Sequence, residues 1–244
     1  MKNFKNCLMG IDIDEKCFNH LKNELSENYD FALLNDLLAL PCMRFKIKHK
    51  LLLLFSLLEA DEVNDTIIDT LCNLLINVPA RLWDDFSERT EMLIESKHLL
   101  LSRSQKLRLA HTIEVMYAKG YTHTFDLANL IYQSLSQSDN EFNLDSDENV
   151  RIRLAKIAYS TGKYNFNEKT RAITTIKHHL KRSGRKYLMG VVNYYKGICL
   201  KATGVKIDYK DDIYYMMKSK SRGFDLASIY LEYRSNNLET SSEC

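Results

Sequence analysis

The chain has 244 residues, of which 45% are hydrophobic, 8 are Gly and 2 are Pro, and its formal net charge is +2. A sheet protein of this size would need many more turn residues, and the longest apolar runs are too short to cross a bilayer. The composition therefore argues against a β-sheet protein and against a membrane-spanning protein. The composition predicts an all-α protein, long enough for one large or two small domains.

Residues 1–100 are expected to form a helical N-terminal subdomain. Asp14 is a candidate cap for a helix that runs to about residue 28, and a short helix is expected over 30–40. Residues 44–60 contain the run LLLLFSLL, which predicts a helix buried nearly all round. The clearest helix follows, with apolar residues on one stripe at helical period: Ile67, Ile68, Leu71, Leu74, Leu75 and Val78.

Residues 101–235 are expected to form helical repeats. Ser102 and Gln105 have the spacing of a capping box, and Thr124 is a candidate cap for the following helix. A polar loop is predicted over 136–148, because SQSDNEFNLDSDE has too little apolar surface to offset the entropy of ordering it. Further helices are predicted over 148–160, 167–181, 185–201, 210–221 and 224–234, and a disordered tail over 236–244.

The near-neutral total charge conceals a strong asymmetry along the chain. Residues 1–150 contain 15 Lys and Arg against 24 Asp and Glu, a net charge of −9. Residues 151–222 contain 18 Lys and Arg against 4 Asp and Glu, a net charge of +14. Eight of the 14 Tyr lie between residues 187 and 233. The C-terminal half is therefore the candidate for binding a negatively charged partner.

Three interpretations of this basic half remain open. It can bind an acidic protein surface, with Tyr and Arg as anchors and Lys setting orientation and association rate. It can bind nucleic acid or an anionic lipid headgroup through phosphate contacts. It can also be a solvated face that complements the acidic half, with the tyrosines in the core. The first is preferred, and its candidate partner-binding residues are Lys177, Lys181, Arg182, Arg185, Lys186, Tyr194, Tyr195 and Tyr214.

Signals for catalysis or cofactor binding are weak. The seven His show no metal-ligand spacing, and no nucleophile elbow, dinucleotide or phosphate-loop motif is present. His111 and Glu114 lie on one helical face and could act as an acid–base pair, but such a pair is commonplace on helices. The acidic clusters over 59–65 and 84–88 lack calcium-loop spacing. We expect a non-catalytic protein without cofactor or metal.

The C-terminal register carries a family resemblance. Gly204, Asp208, Tyr215, Gly223, Ala227 and Leu231 have a characteristic spacing around Asp212, and Tyr-x-x-Gly recurs at Tyr117, Tyr159 and Tyr194. Over about residues 150–235 the chain resembles Sel1-like repeats, relatives of the tetratricopeptide repeat. The resemblance implies a short α-solenoid in which Gly223 ends a first helix in the left-handed conformation and Ala227 sits where helices cross closely. The alternative is an irregular helical domain with accidental Gly and Ala spacing.

Proteins of this family serve as adaptors and scaffolds, so the resemblance implies protein–protein interaction. Six Cys without a CxxC pair, and no visible signal peptide, favour reduced thiols and a soluble cytoplasmic protein. The Lys-, Asn- and Ile-rich usage is typical of an AT-rich genome and suggests a bacterial source. Sel1-like proteins of intracellular bacteria often act on host proteins, which extends the expectation to an effector secreted into a host cell, or a regulator of one.

Overall fold

The structure is a computed structural model in which the described residues form helices joined by turns and irregular segments, with no β-strand among them. It describes residues 15–28, 36–39, 46–59, 63–97, 100–121, 124–135, 144, 146–161, 165–182, 184–204 and 210–241. The all-α prediction is confirmed for this part of the chain. Asp14 and most of the helix expected over 30–40 lie outside the described residues.

The chain divides into two compact units, residues 1–101 and 102–244. Unit 1 contains the helices α1 (Glu15–Asn28), α2 (Ile47–Glu59), α3 (Asp65–Ile76) and α4 (Ala80–Lys97). Unit 2 contains α5 (Arg103–Ala118), α6 (Thr124–Ser134), α7 (Asp147–Tyr159), α8 (Phe166–Arg182), α9 (Lys186–Thr203), α10 (Asp212–Lys220) and α11 (Asp225–Ser241). None of the helices in the described ranges is long and apolar enough to cross a membrane.

Unit 1 is organised around α2, which packs against α1, α3 and α4. The apolar run of α2 is buried as predicted, with Leu51, Leu54 and Phe55 at or below 1% exposure. The Phe55 ring stacks on Phe86 of α4 with centroids 5.9 Å apart. The predicted stripe on α3 is also largely buried, and Asn64 caps this helix by accepting a hydrogen bond from the Ile67 amide. This unit is a conventional helical core built from hydrophobic periodicity.

Consecutive helices of unit 2 pack against one another along the chain, and the last helix, α11, returns to pack against the first, α5. The predicted capping box at the start of α5 is present, because the Ser102 hydroxyl accepts from the Gln105 amide while the Gln105 side chain accepts from the Ser102 amide. Lys201 of α9 helps to hold α5 and α11 together, because its ammonium lies 4.4 Å from the ring centroid of Tyr117 on α5 and 4.8 Å from the ring centroid of Tyr230 on α11.

The central helix of unit 2 is α9, which packs against α7, α8 and α10. Its closest approach is to α10, at Gly190 and Gly197. A Cβ on Gly190 would lie 3.1 Å from the Cβ of Arg222, and the Ser219 hydroxyl donates a 2.8 Å hydrogen bond to the Gly190 carbonyl. The glycines allow α10 to lie against the backbone of α9, because any larger residue would separate the two helices.

The Tyr-x-x-Gly segments do not occupy equivalent structural positions. Gly120 follows α5 with φ +92°, as expected of a helix end, whereas Gly197 lies inside α9. The segment at Tyr159 leads to a glycine outside the described residues. The expectation for Gly223 is confirmed, since it follows α10 with φ +80°. Ala227 is fully buried, in keeping with a close helix crossing.

The last helix, α11, extends beyond the boundary expected for a C-terminal tail. A disordered tail was predicted from residue 236, but α11 continues to Ser241, so this boundary is wrong. Extending an existing helix fixes one residue for each hydrogen bond gained, and Ser235–Ser241 contains neither Gly nor Pro to stop it. Residues 242–244 lie outside the described residues.

Candidate anion-binding surface

Six cationic residues of unit 2 lie on the adjacent helices α8, α9 and α10, and we call them the cationic face. They are Lys177 and Lys181 of α8, Lys196 of α9, Lys210 just before α10, Lys218 of α10, and Arg222 in the turn after it. None of the six forms an ion pair with a carboxylate of the described residues. An uncompensated cluster of this size creates a positive potential that attracts anions.

The local sequence explains why α10 presents these charges together. Its Asp211 caps the helix by accepting a 3.0 Å hydrogen bond from the Tyr214 amide. Positions 210, 214, 218 and 222 then recur every four residues, a spacing that places them along one side of a helix. Lys210, Tyr214, Lys218 and Arg222 occupy these positions. Helix α10 therefore presents Tyr214 and Lys218 on one side, and Lys210 and Arg222 continue the four-residue spacing just before and just after it.

Helix α9 forms the floor between α8 and α10, because both of these helices pack on it. Lys196 is the one residue between 188 and 200 that is not buried, so it marks where α9 emerges from the core. Its ammonium lies 4.7 Å from the ring centroid of Tyr215. Such a cation–π contact holds the lysine against the helix while its charge stays accessible.

The electrostatic consequences are visible at two residues of the face. Partial burial lowers the pKa of Lys177, and the like charges of Lys196, Lys181, Lys218 and Arg222 lower it further. Hydrogen bonding from Lys218 to the phenolate, together with the charges of Lys218, Lys210 and Lys177, lowers the pKa of Tyr214. The ammonium groups of Lys218 and Lys210 lie 4.8 and 5.5 Å from the Tyr214 ring centroid. Both shifts indicate that the face favours negative charge.

The site residues predicted from the sequence lie in different environments in the structure. Lys177, Lys181 and Tyr214 lie on the cationic face, and Arg182 is exposed at the end of α8. Arg185 instead forms an ion pair with Asp147 and donates a 2.9 Å hydrogen bond to the Leu144 carbonyl. The side chain of Lys186 lies outside the described part of the structure. Whether the exposed members bind a partner stays a prediction.

Tyr194 and Tyr195 do not lie on a surface, so their assignment as partner contacts is wrong. Both side chains are fully buried, because α9 is enclosed by α7, α8 and α10. Their rings pack edge to face with centroids 5.2 Å apart. The interpretation that these tyrosines belong to the core is the one that the structure supports.

Lys196, Lys210, Lys218 and Arg222 were missed as site residues by the sequence analysis. The four-residue spacing of Lys210, Lys218 and Arg222 was a usable signal, since it predicts one row along a helix. No comparable signal exists for Lys196, which joins the face only because α9 lies between α8 and α10. The sequence shows Lys196 among apolar residues, but it does not show which side of α9 the neighbouring helices leave uncovered.

A second polar cluster lies inside unit 2. The Glu114 side chain is fully buried, and its two oxygens accept 2.7 Å hydrogen bonds from the Arg151 guanidinium and from the Tyr195 hydroxyl. His111 Nδ1 lies 3.0 Å from a guanidinium nitrogen of Arg151. Because a guanidinium can only donate, this Nδ1 is the acceptor and the ring proton resides on Nε2. Glu114 therefore has a structural ion pair and is not positioned as a free general base.

A pocket of about 280 Å³ opens beside this cluster, between α5, α6, α7 and α9. Arg151 and Tyr132 line it together with the apolar side chains of Leu107, Ile152, Leu188 and Val191, and Tyr187. The acidic residues at the pocket, Asp147 and Glu148, are paired with Arg185 and Arg103. The pocket thus combines apolar walls with balanced charges. No group of three potential metal ligands occurs among the described residues.

We expect His111 to make stability dependent on pH. The residue lies at the exposed edge of the cluster, where partial desolvation of its ring and the charge of Arg151 lower its pKa in the folded protein below 6.5, against smaller raising effects of Glu114 and Asp225. The unfolded chain therefore takes up the proton more readily, so the stabilisation is complete above about pH 6.5 and is lost as the pH falls through the lowered value. Urea unfolding between about pH 5 and 8 should show a shallower pH slope in His111→Gln. The exposed His178→Gln is the control, and equal slopes in wild type and His111→Gln would contradict the expectation.

Comparison with known proteins gives no match: no family model, no curated protein and no solved structure is similar to this chain.

Proposed function

We propose that the protein is a non-catalytic adaptor whose second unit binds an acidic segment of a partner protein across the cationic face. The observation that carries the proposal is the set of six cations, none of them paired with a described carboxylate, on three adjacent helices. Charges left uncompensated in the free protein are available to a partner, where they orient it and raise the association rate.

The aromatic residues favour a protein partner over a nucleic acid. Binding of single strands depends on exposed rings on which bases stack. On the cationic face, the Tyr214 ring has two lysine ammonium groups close to it, and the Tyr215 ring is buried beneath Lys196. Tyr194 and Tyr195 are buried as well. Among the described residues of the face, the charges therefore have no open aromatic ring beside them, which suits an acidic polypeptide better than a base-reading partner.

The consecutive packing of α5 to α11 supports a relation to Sel1-like and tetratricopeptide-type arrays. In such arrays the partner lies along the groove between successive helices. Here α8 and α10 form the sides and α9 the floor. The return of α11 to α5 is consistent with a short array that closes on itself, and the proposed role needs only the local three-helix groove.

The test compares three forms of the full-length protein as affinity baits. One is wild type, one carries Lys181→Glu, Lys218→Glu and Arg222→Glu, and one carries the same number of reversals at exposed cations elsewhere: Lys46→Glu, Arg171→Glu and Arg234→Glu. A specific protein partner should be retained by the wild type and the control but lost by the face variant, at about 50 and about 300 mM salt and after nuclease treatment.

Two outcomes would overturn the proposal. Equal retention by the face variant and the control would show that the cationic face is only solvated. Retention that disappears on nuclease treatment, or transfer of the wild-type protein to phosphatidylserine vesicles, would assign the basic half to nucleic acid or to anionic lipid. Circular dichroism of all three proteins checks that the reversals leave the helices intact.

A further inference from the structure

Two ammonium groups of the cationic face lie against the ring of a single phenol, and the charge of a third lysine acts on it. Lys218 follows Tyr214 by one helical turn and Lys210 lies four residues before it, ahead of the helix, with ammonium groups 4.8 and 5.5 Å from its ring centroid. Lys177 approaches from α8 and affects Tyr214 through its charge. Lys210 and Lys218 belong to one segment, whereas Lys177 comes from α8 and joins them because α8 and α10 both pack on α9.

Two acidic residues of the described chain that are close to Tyr214 in sequence bind groups other than the lysines. The Asp211 carboxylate accepts from the Tyr214 amide at the start of α10. The Asp212 carboxylate accepts a 2.5 Å hydrogen bond from the Tyr230 hydroxyl of α11, on the side of α10 that packs against that helix. Neither carboxylate pairs with Lys177, Lys210 or Lys218. The positive charge around the phenol is therefore not cancelled by the described part of the chain.

The chemistry of the donors selects between two kinds of anion. Carboxylates are best matched by the two-pronged guanidinium of Arg, and the face contains only one Arg, at position 222. Lys binds as a point charge with three donors and is a common phosphate ligand. A phosphate ester carries between one and a half and two negative charges on three oxygens, so it can engage several lysines at once. Three lysines and a phenol that can donate a hydrogen bond match this group.

We infer that the point enclosed by Lys177, Lys210, Lys218 and Tyr214 binds a phosphate ester carried by an acidic segment of the protein partner. This inference rests on the proposed function and specifies the chemistry of its partner. The phosphate lies at the centre of this group, beside Tyr214 and the Lys210 and Lys218 ammonium groups that contact its ring. The remaining cations, Lys181, Lys196 and Arg222, contact the carboxylates that flank the phosphorylated residue. The lowered pKa of Tyr214 agrees with a positive potential at that centre.

The test uses one short, fluorescently labelled acidic peptide in three versions, whose central residue is Ser, Glu or phosphoserine, added to the full-length protein. The phosphoserine version should bind roughly tenfold more tightly than the Glu version, measured by fluorescence anisotropy at low salt. Lys177→Gln with Lys218→Gln should remove this advantage. The exposed pair Lys46→Gln with Arg171→Gln should preserve it. Tyr214→Phe, which keeps the ring, should reduce it.

The outcomes separate the inference from the function on which it rests. Equal affinity for the Glu and phosphoserine versions, both lost on reversal of the cationic face, would overturn the phosphate site and leave the acidic-segment adaptor intact. If all three peptide versions bound the face-reversal variant as tightly as the wild type, both the phosphate site and the adaptor function would be overturned. A single-stranded RNA or phosphoinositide vesicle that binds more tightly than the phosphopeptide, and depends on the same lysines, would overturn the assignment to a protein segment.

Discussion

Glu114→Ala should lower the free energy of unfolding by about 3–5 kcal/mol, because it removes one partner of an ion pair whose carboxylate is completely buried. Arg151 would lose its counter-ion, and the Tyr195 hydroxyl would lose its acceptor inside the core. The Arg151 side chain is 30% exposed, so water can solvate part of its charge, which favours the lower end of this range. Urea denaturation followed by circular dichroism measures the change.

Two further variants make this expectation specific to the buried pair. Glu232→Ala, at an exposed position of α11, should change stability by less than about 0.5 kcal/mol. Glu114→Leu combined with Arg151→Met should recover much of the loss, since replacing both partners by apolar groups leaves no buried charge unpaired. If Glu114→Ala proved no more destabilising than Glu232→Ala, the ion pair would be energetically unimportant.

Removing the ring of Tyr159 and removing only its hydroxyl should have very different effects on the free energy of unfolding. The fully buried ring packs against Phe125, Tyr117, Tyr132 and Tyr195, with centroids 5.1 to 6.2 Å away. Tyr159→Ala should therefore cost about 3–5 kcal/mol, because a large cavity replaces these contacts. The hydroxyl is buried and forms no hydrogen bond of normal geometry in the described structure, although it lies close enough to the Tyr194 hydroxyl to influence the pKa of that phenol. Tyr159→Phe removes this unsatisfied group and should be neutral or slightly stabilising.

Thermal and urea unfolding of the two Tyr159 variants distinguish the contributions directly. Tyr132→Phe is a useful comparison, since Tyr132 is also fully buried in the same cluster and lies beside Glu114, whose charge contributes to the raised pKa of the Tyr132 phenol. A loss of more than about 1 kcal/mol in Tyr159→Phe would show that its hydroxyl has an unrecognised partner, such as a buried water.

The Glu114–Arg151 pair and the aromatic cluster also explain why the cationic face can exist at all. The face places five lysines and one arginine close together, and their mutual repulsion opposes folding. One side of α9 forms the floor of the cationic face. On its other side, the Tyr195 hydroxyl donates a hydrogen bond to the buried Glu114 carboxylate of α5. The packing of α9 against α7, α8 and α10 therefore positions the charges and provides the stabilisation that offsets their repulsion.

Features that depend on local spacing are predictable from the amino-acid sequence. The all-helical composition, the buried run of α2, the stripe of α3 and the capping box of Ser102 and Gln105 follow from helical period and from chemistry within one turn. The basic excess of residues 151–222 was equally visible, because charge is a sum over residues and needs no structure. Lys177, Lys181 and Tyr214 were identified in this way.

Which of those residues meet depends on the tertiary structure, because burial depends on how many sides of a helix are covered. Tyr194 and Tyr195 could have faced solvent on a helix packed on one side, but α9 is packed by three helices, and between residues 188 and 200 only Lys196 is left uncovered. Arg185 was predicted from the sequence to be a partner-binding residue, but in the structure it forms an ion pair with Asp147. Periodicity reports the faces of one helix, whereas a site assembled from three helices depends on long-range packing that no local pattern encodes.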